Sequence, residues 1–369
     1  MYQSAALMFK NKKVLILGFG REGMSTYRFL RNMYPDMHLT IADKNEIKLD
    51  DKNVTLICGD SYMDSLNDFD IVMKSPGIAF LDVDIKDGTL VTCQTDLFLK
   101  FAPCRKVGIT GSKGKTTTST LIYDMLKEGG FDARLIGNIG VPVLEDINTV
   151  TPETIAVIEM SSHQLEFTTS SPEVAVLTNI YEEHLDHYRD GFRGYVNAKL
   201  NIVRRQKEGD TFIYNATQGL DGLCDLGKIK SHKVGVKKDA PLPFAVNNEH
   251  LLGEHNRQDI LFAFEAAKHF GVDTAAAERA VEKFSGIEHR MEKVGTFRGI
   301  TFYNDCIATI PHAVECAVEA LKNVDTLIFG GMDRGLDYSE FENYLKKSNI
   351  KNLIGTPATG HKICDKIEG

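Results

Sequence analysis

Residues 14–23 read VLILGFGREG, an apolar run that ends in three glycines with G-x-G-x-x-G spacing, Gly18, Gly20 and Gly23. Asp43 follows twenty residues after Gly23. This pattern is typical of a strand that turns tightly into a helix, with a pyrophosphate at the helix N-terminus and an acidic residue on a ribose. A tight turn without a ligand, and an Asp43 that only caps the next turn, explain it equally well. The motif therefore predicts a βαβ fold and leaves the ligand open.

Short apolar runs alternate with helical patterns along much of the chain, which predicts an α/β fold with parallel sheets. A proline near residue 102, and two predicted strands joined by a turn that begin around residue 286, suggest three domains, at 1–102, 103–285 and 286–369. We expect shorter, partly antiparallel strands between 209 and 250. The third region is short for a complete Rossmann-like domain, so we expect it to be incomplete.

The bulk composition excludes several classes of protein. With 369 residues and a net charge of −8, the chain has no basic block for nucleic acid. Its seven cysteines are scattered and form no C-x-x-C pair, which favours free thiols in a reducing compartment. No targeting segment or membrane-length apolar run is present in the sequence. We expect a cytoplasmic, globular protein that binds neither nucleic acid nor membrane, and we expect it to be a monomer.

A second glycine loop, ITGSKGKTTT at 109–118, lies between an apolar strand and a helix. Backbone amides of such a turn bind phosphate oxygens, Lys115 can reach the β and γ phosphates, and Thr116 can ligate Mg²⁺. Ile109 stands where the first glycine of the full P-loop pattern would be. A turn that merely contains glycines and lysines is the alternative. The strand–loop–helix context favours ATP, through Gly111, Ser112, Lys113, Gly114, Lys115, Thr116 and Thr117.

Polar residues follow the next predicted strands. Glu159 ends the apolar run TIAVIEM, where a carboxylate can hold Mg²⁺ opposite the phosphates, although a solvated strand-end glutamate is the alternative. His184 and His187 are three residues apart, but nothing later in the sequence completes a zinc site. Lys199 carries no motif signal and, taken alone, is expected to be a surface lysine.

Several motifs in order resemble the Mur ligases: TGSKGKTT (110–117), GNIGVP (137–142), EMSSHQLE (159–166), TNIYEEHLDHY (178–188), NAKL (197–200), GEHN (253–256), HR (289–290) and ATIP (308–311). The SPG turn at 75–77 and the SSHQLE stretch point to the D-glutamate-adding branch. The resemblance implies an ATP-dependent (ADP-forming) ligase of peptidoglycan precursor synthesis, acting through an acyl phosphate. Its substrates would be UDP-N-acetylmuramoyl-L-alanine and D-glutamate.

The resemblance reassigns the first glycine loop to a UDP-sugar, so no NAD is expected. The diphosphate would lie on the GFGREG loop and the uridine near the SPG turn, while the muramoyl part would meet Asn138 and His184. The UDP-sugar residues implied are Gly18, Phe19, Gly20, Arg21, Asp43, Ser75, Pro76, Gly77 and Asn138.

The resemblance also implies two Mg²⁺ sites and an amino-acid site. Thr116 and Glu159 would hold one metal ion, and His184 with an N-carbamate on Lys199 would hold the other. Lys115, Lys199 and His184 would be the catalytic residues. The adenine nucleotide would contact Asn256, Arg290 and Asp305, and Arg334 would bind the carboxylate of the incoming amino acid.

Two departures from the family pattern keep alternatives open. Ile307 replaces a lysine that the family commonly has near the phosphates, and members normally continue with a further strand–helix–strand portion. The alternatives are another ligase of the same type, such as a folylpolyglutamate synthase, or a non-catalytic or truncated binder of UDP-sugar and ATP. An NAD-dependent dehydrogenase ranks third, because no hydride-transfer residues are apparent.

Overall fold

The computed structural model describes residues 2–220, 222–333 and 335–368. The chain divides into two compact units. The first contains Met1–Val246 and Asp259–Glu282, and the second contains Asn247–Gln258 and Lys283–Gly369. No described helix is both long and apolar enough to cross a membrane.

The first unit begins with a five-stranded parallel sheet in the order β3-β2-β1-β4-β5. Its central strands are apolar and buried on both faces, as parallel strands covered by helices require. The elements are α1 (Tyr2–Phe9), β1 (Val14–Leu17), α2 (Arg21–Met33), β2 (Leu39–Asp43), β3 (Val54–Cys58), β4 (Ile71–Lys74), β5 (Leu90–Thr92) and α3 (Gln94–Phe101).

A second parallel sheet follows in the same unit, with six strands in the order β11-β10-β9-β6-β8-β7. Its strands are β6 (Arg105–Thr110), β7 (Ala133–Gly137), β8 (Ile155–Glu159), β9 (Val174–Leu177), β10 (Thr211–Asn215) and β11 (His232–Val236). The helices of this part are α4 (Lys115–Glu128), α5 (Val143–Asp146), α6 (Ser162–Leu165), α7 (Gly191–Arg204) and α9 (Thr274–Lys283). The residues of α8 (Gly253–His269) are divided between the two units.

The topology places both glycine loops where parallel sheets bind ligands. In each sheet the strand order reverses beside a central strand, next to β1 in the first sheet and next to β6 in the second. Ligands bind in the crevice outside the carboxyl ends of parallel strands at such a reversal. The loops after β1 and β6 are the two glycine loops, so the topology supports a binding role for both.

The expectation of partly antiparallel strands between 209 and 250 is wrong. β10 pairs in parallel with both β9 and β11. The sequence is polar here because β11 is an edge strand with mostly exposed side chains. Its polarity reflects solvent on the outer edge and carries no information about strand direction.

The second unit contains an antiparallel hairpin and one parallel βαβ pair. Phe329, Phe341, Leu345 and Ile363 form its small buried core. The α/β class with largely parallel sheets is confirmed, while the domain limits at 102 and 285 stay a prediction. The elements are β12 (Glu292–Phe297), β13 (Ile300–Asn304), α10 (Pro311–Leu321), β14 (Thr326–Gly330), α11 (Ser339–Lys347), β15 (Asn352–Thr356) and α12 (Thr359–Glu368).

Candidate active site at the carboxyl ends of the parallel strands

The first glycine loop is held by the ends of the neighbouring strands. The Phe19 amide donates to Oδ2 of Asp43 at 2.7 Å, and Oδ1 of Asp43 accepts from the Asn45 amide at 2.8 Å. The Ser75 hydroxyl donates to the Gly18 carbonyl at 3.0 Å. The structure thus brings Gly18, Phe19, Asp43 and Ser75 together, and it gives Asp43 a clear part in shaping the turn.

The second glycine loop is clamped by the residues that follow β9. The Lys113 amide donates to Oδ1 of Asn179 at 2.8 Å, and the Ser112 amide donates to the Asn179 carbonyl at 2.9 Å. Oγ1 of Thr178 donates to the Lys113 carbonyl at 2.6 Å. Gly114 precedes α4 without a side-chain cap, so the amides of the first turn face outward as an anion site.

Two lysines converge on the first residue of this loop. Nζ of Lys115 donates to the carbonyls of Gly111 and Ser112 at 2.9 and 3.1 Å. Nζ of Lys199, which reaches in from α7, donates to the same Gly111 carbonyl at 2.8 Å. Two ammonium groups on one carbonyl repel each other, and this repulsion favours a neutral amine on one of them.

Lys199 is buried, so the expectation that it is a surface lysine is wrong. Only 2% of the residue is exposed, and its ammonium lies 4.6 Å from the centre of the Tyr195 ring. Burial, followed by the nearby Lys115 charge, lowers the pKa of Lys199 well below its usual value. A neutral amine is the form that reacts as a nucleophile, which is compatible with carbamoylation.

Glu159 is buried next to Asn138. Nδ2 of Asn138 donates to Oε1 of Glu159 at 2.7 Å, whereas Oε2 is buried and makes no hydrogen bond with the described residues. A buried carboxylate oxygen without a donor is costly unless a cation or water binds it. The described residues contain no group of three or more His, Cys, Asp or Glu side chains placed to hold a metal ion by themselves. That fits Mg²⁺, which usually takes one or two carboxylates and completes its shell with phosphate and water.

A histidine cluster combines His163, which lies on α6, with His184 and His187, which follow β9. The His163 ring stacks on His187 at 3.8 Å between centroids and meets His184 edge-on at 4.8 Å. Burial, then the neighbouring His187 and His184, lower the pKa of His163 to about 3, so it is neutral. His184 has a positive φ of 56°, a strained backbone conformation that is enriched at functional sites.

The predicted nucleotide residues Asn256, Arg290 and Asp305 lie in the second unit. Nδ2 of Asn256 donates to the Leu252 carbonyl at 2.8 Å, and Oδ1 of Asp305 accepts from the Met291 amide at 3.0 Å. Burial, then the Arg290 guanidinium, lower the pKa of His255 to about 4, which places Arg290 near the start of α8. Nε of Arg290 is buried without a hydrogen-bond partner among the described residues. Arg334 lies outside the described residues.

Asp259 is a functional candidate that the sequence analysis missed. Oδ1 of Asp259 lies 3.2 Å from the Thr118 hydroxyl, and the carboxylate stands where a Cβ on Gly114 would be. Gly114 also has a φ of 83°, so glycine is required there on two grounds. The signal was available, because Asp259 lies one turn beyond Asn256 on the same helix, and Asn256 ends the GEHN segment already singled out.

Family models match both sheets of the first unit. Residues 12–91 match the N-terminal domain described as Mur ligase MurD-like, and residues 109–241 match the Mur ligase middle domain. Together they cover more than half of the chain, and the chain therefore belongs to the Mur ligase family. This membership makes it a ligase and confirms the resemblance seen in the motifs.

Among individual relatives, the chain is 33% identical to the UDP-N-acetylmuramoylalanine–D-glutamate ligase of Clostridium kluyveri, over 97% of this chain and 83% of that protein. The enzyme of the same name from Ligilactobacillus salivarius is 34% identical, over 92% of this chain and 80% of the relative. The one from Acetivibrio thermocellus is also 34% identical, over 96% and 82%.

Solved structures share the fold at lower identity. MurF ligase from Thermotoga maritima, in complex with ADP, superimposes with a TM-score of 0.61 at 16% identity, over 95% of this chain and 82% of that one. MurC of the same organism gives a TM-score of 0.57 at 18% identity, over 97% and 88%. These likenesses confirm the Mur ligase fold.

Proposed function

We propose that this ligase joins D-glutamate to UDP-N-acetylmuramoyl-L-alanine with conversion of ATP to ADP. The main support is a group of side chains at the carboxyl ends of the strands of the second sheet. Lys115 of the P-loop and the buried Lys199 lie there together with Glu159, whose Oε2 atom has no hydrogen-bond partner among the described residues. The names of the curated relatives supply the substrates of the proposal. The match of residues 12–91 to the MurD-like N-terminal domain supports a UDP-sugar, and not a folate, on the first glycine loop.

The chemistry of the proposal is the activation of a carboxylate. A carboxylate oxygen is a poor leaving group, so the terminal alanine carboxylate takes the γ-phosphoryl group of ATP, and the amine of D-glutamate then displaces phosphate. Both steps concentrate negative charge, and positioning with charge neutralisation is what the protein must supply. The amides of residues 111–117 and the ammonium of Lys115 would bind the triphosphate.

The residues present fit the Mg²⁺ that this chemistry requires. The free oxygen of Glu159 and the hydroxyl of Thr116 would hold one ion, and His184 with an N-carbamate on Lys199 would hold a second. When bound, the ions neutralise phosphate charge. Asn138 fixes the Glu159 carboxylate through one oxygen, which would leave the other oxygen to hold the ion.

The remaining assignments concern substrate recognition. Gly18, Gly20, Arg21 and the 75–77 turn would hold the UDP group, with Asn138 and His184 on the muramoyl part. Asn256, Arg290 and Asp305 would contact the adenine nucleotide, and Arg334 the D-glutamate carboxylate. A cytoplasmic location and a monomeric state remain part of this proposal.

The test is ADP release with ATP, Mg²⁺ and UDP-N-acetylmuramoyl-L-alanine, with D-glutamate, L-glutamate, L-lysine or meso-diaminopimelate added in turn. We expect turnover with D-glutamate alone. Turnover with another amino acid overturns the substrate assignment. Binding of the UDP-sugar without ADP release identifies a non-catalytic binder, the alternative that Ile307 motivates.

A further inference from the structure

A buried ion pair joins the end of β4 to the segment after β8. Nζ of Lys74 lies 3.1 Å from Oε2 of Glu166, and only 1% of the Lys74 side chain is exposed. The ammonium also lies near two adjacent aromatic rings, 5.4 Å from the centre of Phe80 and 5.2 Å from that of Phe167. A buried ion pair is weak evidence for stability, since desolvation offsets much of its attraction. Its position suggests another role.

Both members of this ion pair are close in sequence to residues that are predicted to bind substrate or metal. Lys74 immediately precedes the Ser75–Pro76–Gly77 turn, and Glu166 ends the segment that begins with Glu159. Oε2 of Glu166 also lies 3.5 Å from Nε2 of His187, a close contact without hydrogen-bond geometry. His187 stacks on His163, which contacts His184. A continuous series of contacts therefore runs from Lys74, next to the SPG turn at 75–77, through Glu166 and the histidine cluster to His184.

The same segment is tied to the first glycine loop. Nε2 of Gln164 donates to Oε1 of Glu22 at 2.8 Å, and Glu22 lies within GFGREG. The Gln164 side chain also closes a capping box with Ser161 at the start of α6. α6 has only four residues, too few to be stable alone, so its placement depends on these tertiary contacts.

We infer that Lys74 is a positioning residue for the muramoyl end of the substrate. Acting through Glu166, it fixes residues 159–166 and the histidine cluster relative to the UDP site. That site would be formed by the GFGREG loop (18–23) and the SPG turn (75–77). The inference rests on the proposed function. The hydrogen bonds described above hold the P-loop through Thr178 and Asn179, which belong to a different segment from Lys74 and Glu166, so we expect ATP binding to be independent of the pair.

The test compares Lys74→Met with Arg28→Met. Arg28 on α2 forms an ion pair of 3.0 Å with Glu145 on α5, but both side chains are well exposed. We expect Lys74→Met to raise the KM for the UDP-sugar about tenfold and leave the KM for ATP within about twofold. Arg28→Met should change neither constant, and Lys74→Arg should recover part of the loss.

A second variant separates positioning from folding. Lys74→Met leaves Glu166 without its ammonium partner in a partly buried place, which by itself destabilises the chain. The double variant Lys74→Met/Glu166→Gln removes both charges, so it should regain thermal stability while the KM for the UDP-sugar stays raised. A normal KM in the stable double variant would overturn the inference.

A third readout keeps this result apart from the proposed function. If the wild-type chain turns over no substrate, the proposed function fails, and the imidazole ¹⁵N signals of His184 and His187 still test the positioning. We expect these signals to shift in the double variant and to stay in place in Arg28→Met. Unshifted signals in the double variant would contradict the inference whatever the activity.

Discussion

Asn138 donates a 2.7 Å hydrogen bond to one oxygen of the Glu159 carboxylate and leaves the other oxygen buried without a partner among the described residues. The pair combines a fixed orientation with an open acceptor, which is the arrangement expected of a cation ligand. Neither feature is visible in the sequence, where the two residues stand 21 positions apart.

Glu159→Gln should therefore lower kcat by roughly two orders of magnitude, because an uncharged amide cannot replace the carboxylate that we propose as a Mg²⁺ ligand. The measurement is ADP release as a function of Mg²⁺ concentration. The matched control is Glu153→Gln, an exposed carboxylate at the start of the same region. A Glu159→Gln enzyme with an unchanged Mg²⁺ dependence would exclude the metal role.

The buried Lys199 should carry a carbamate. Its pKa is lowered by burial and by Lys115, so the neutral amine that reacts with CO₂ is present at lower pH than for an ordinary lysine. With ¹³C-bicarbonate, we expect a carbamate signal that strengthens as the pH rises and is absent in Lys199→Arg. Equal signals in the two proteins would show that another amine is modified.

Asp259→Ala should weaken ATP binding. Its carboxylate supports the Gly114 turn and the Thr118 hydroxyl, so its removal loosens the start of α4. We expect the KM for ATP to rise about tenfold with the KM for the UDP-sugar unchanged. Asp273→Ala is the control, because Asp273 accepts from the Ala276 amide at 2.7 Å at the distant start of α9. If both variants changed the KM for ATP equally, the effect would be one of general stability.

Gly23→Ala should disrupt the first glycine loop. A Cβ at this position would overlap the Gly18 carbonyl, which is backbone and cannot move aside cheaply. The Gly20→Ala substitution is the control, since its Cβ would meet open space and its φ is −74°. Thermal unfolding should show a lower Tm for Gly23→Ala alone. A wild-type Tm for that variant would contradict the close packing of Gly23 against the Gly18 carbonyl.

Glu173 should contribute to stability against acid. Although burial alone raises its pKa, hydrogen bonds from His269 and Arg105 more than offset this and lower it to about 2. Its stabilisation is therefore complete above the unfolded-state pKa near 4.5 and is lost as the pH falls towards 2. We expect Glu173→Gln to lower the free energy of unfolding by about 1–2 kcal/mol at pH 7, a value reduced to allow for the partial exposure of Glu173. It should also flatten the acid limb of the stability curve, which is the fall in the free energy of unfolding as the pH is lowered. Glu208→Gln, at an exposed carboxylate without an ion pair among the described residues, should leave that limb unchanged.

The residues predicted from motifs differ in how far their surroundings could be foreseen. The P-loop was recognisable because its glycines, Lys115 and Thr116 act within one strand–loop–helix unit. Lys199 looked like a surface lysine, because its burial depends on the Gly111 carbonyl 88 residues earlier in the chain. Asp259 and Lys74 were overlooked for the same reason, since their partners Thr118 and Glu166 are 141 and 92 residues away.

The sequence by itself determined the α/β class, the two glycine turns and the family, because apolar runs of strand length and glycine spacing are local properties of the chain. Only the tertiary structure decided which carboxylate oxygen of Glu159 lacks a hydrogen-bond partner among the described residues, that Lys199 is buried, and that Lys74, next to the SPG turn, pairs with Glu166. Burial and unpaired atoms arise when distant segments meet at the carboxyl ends of the strands, and no local pattern encodes that meeting.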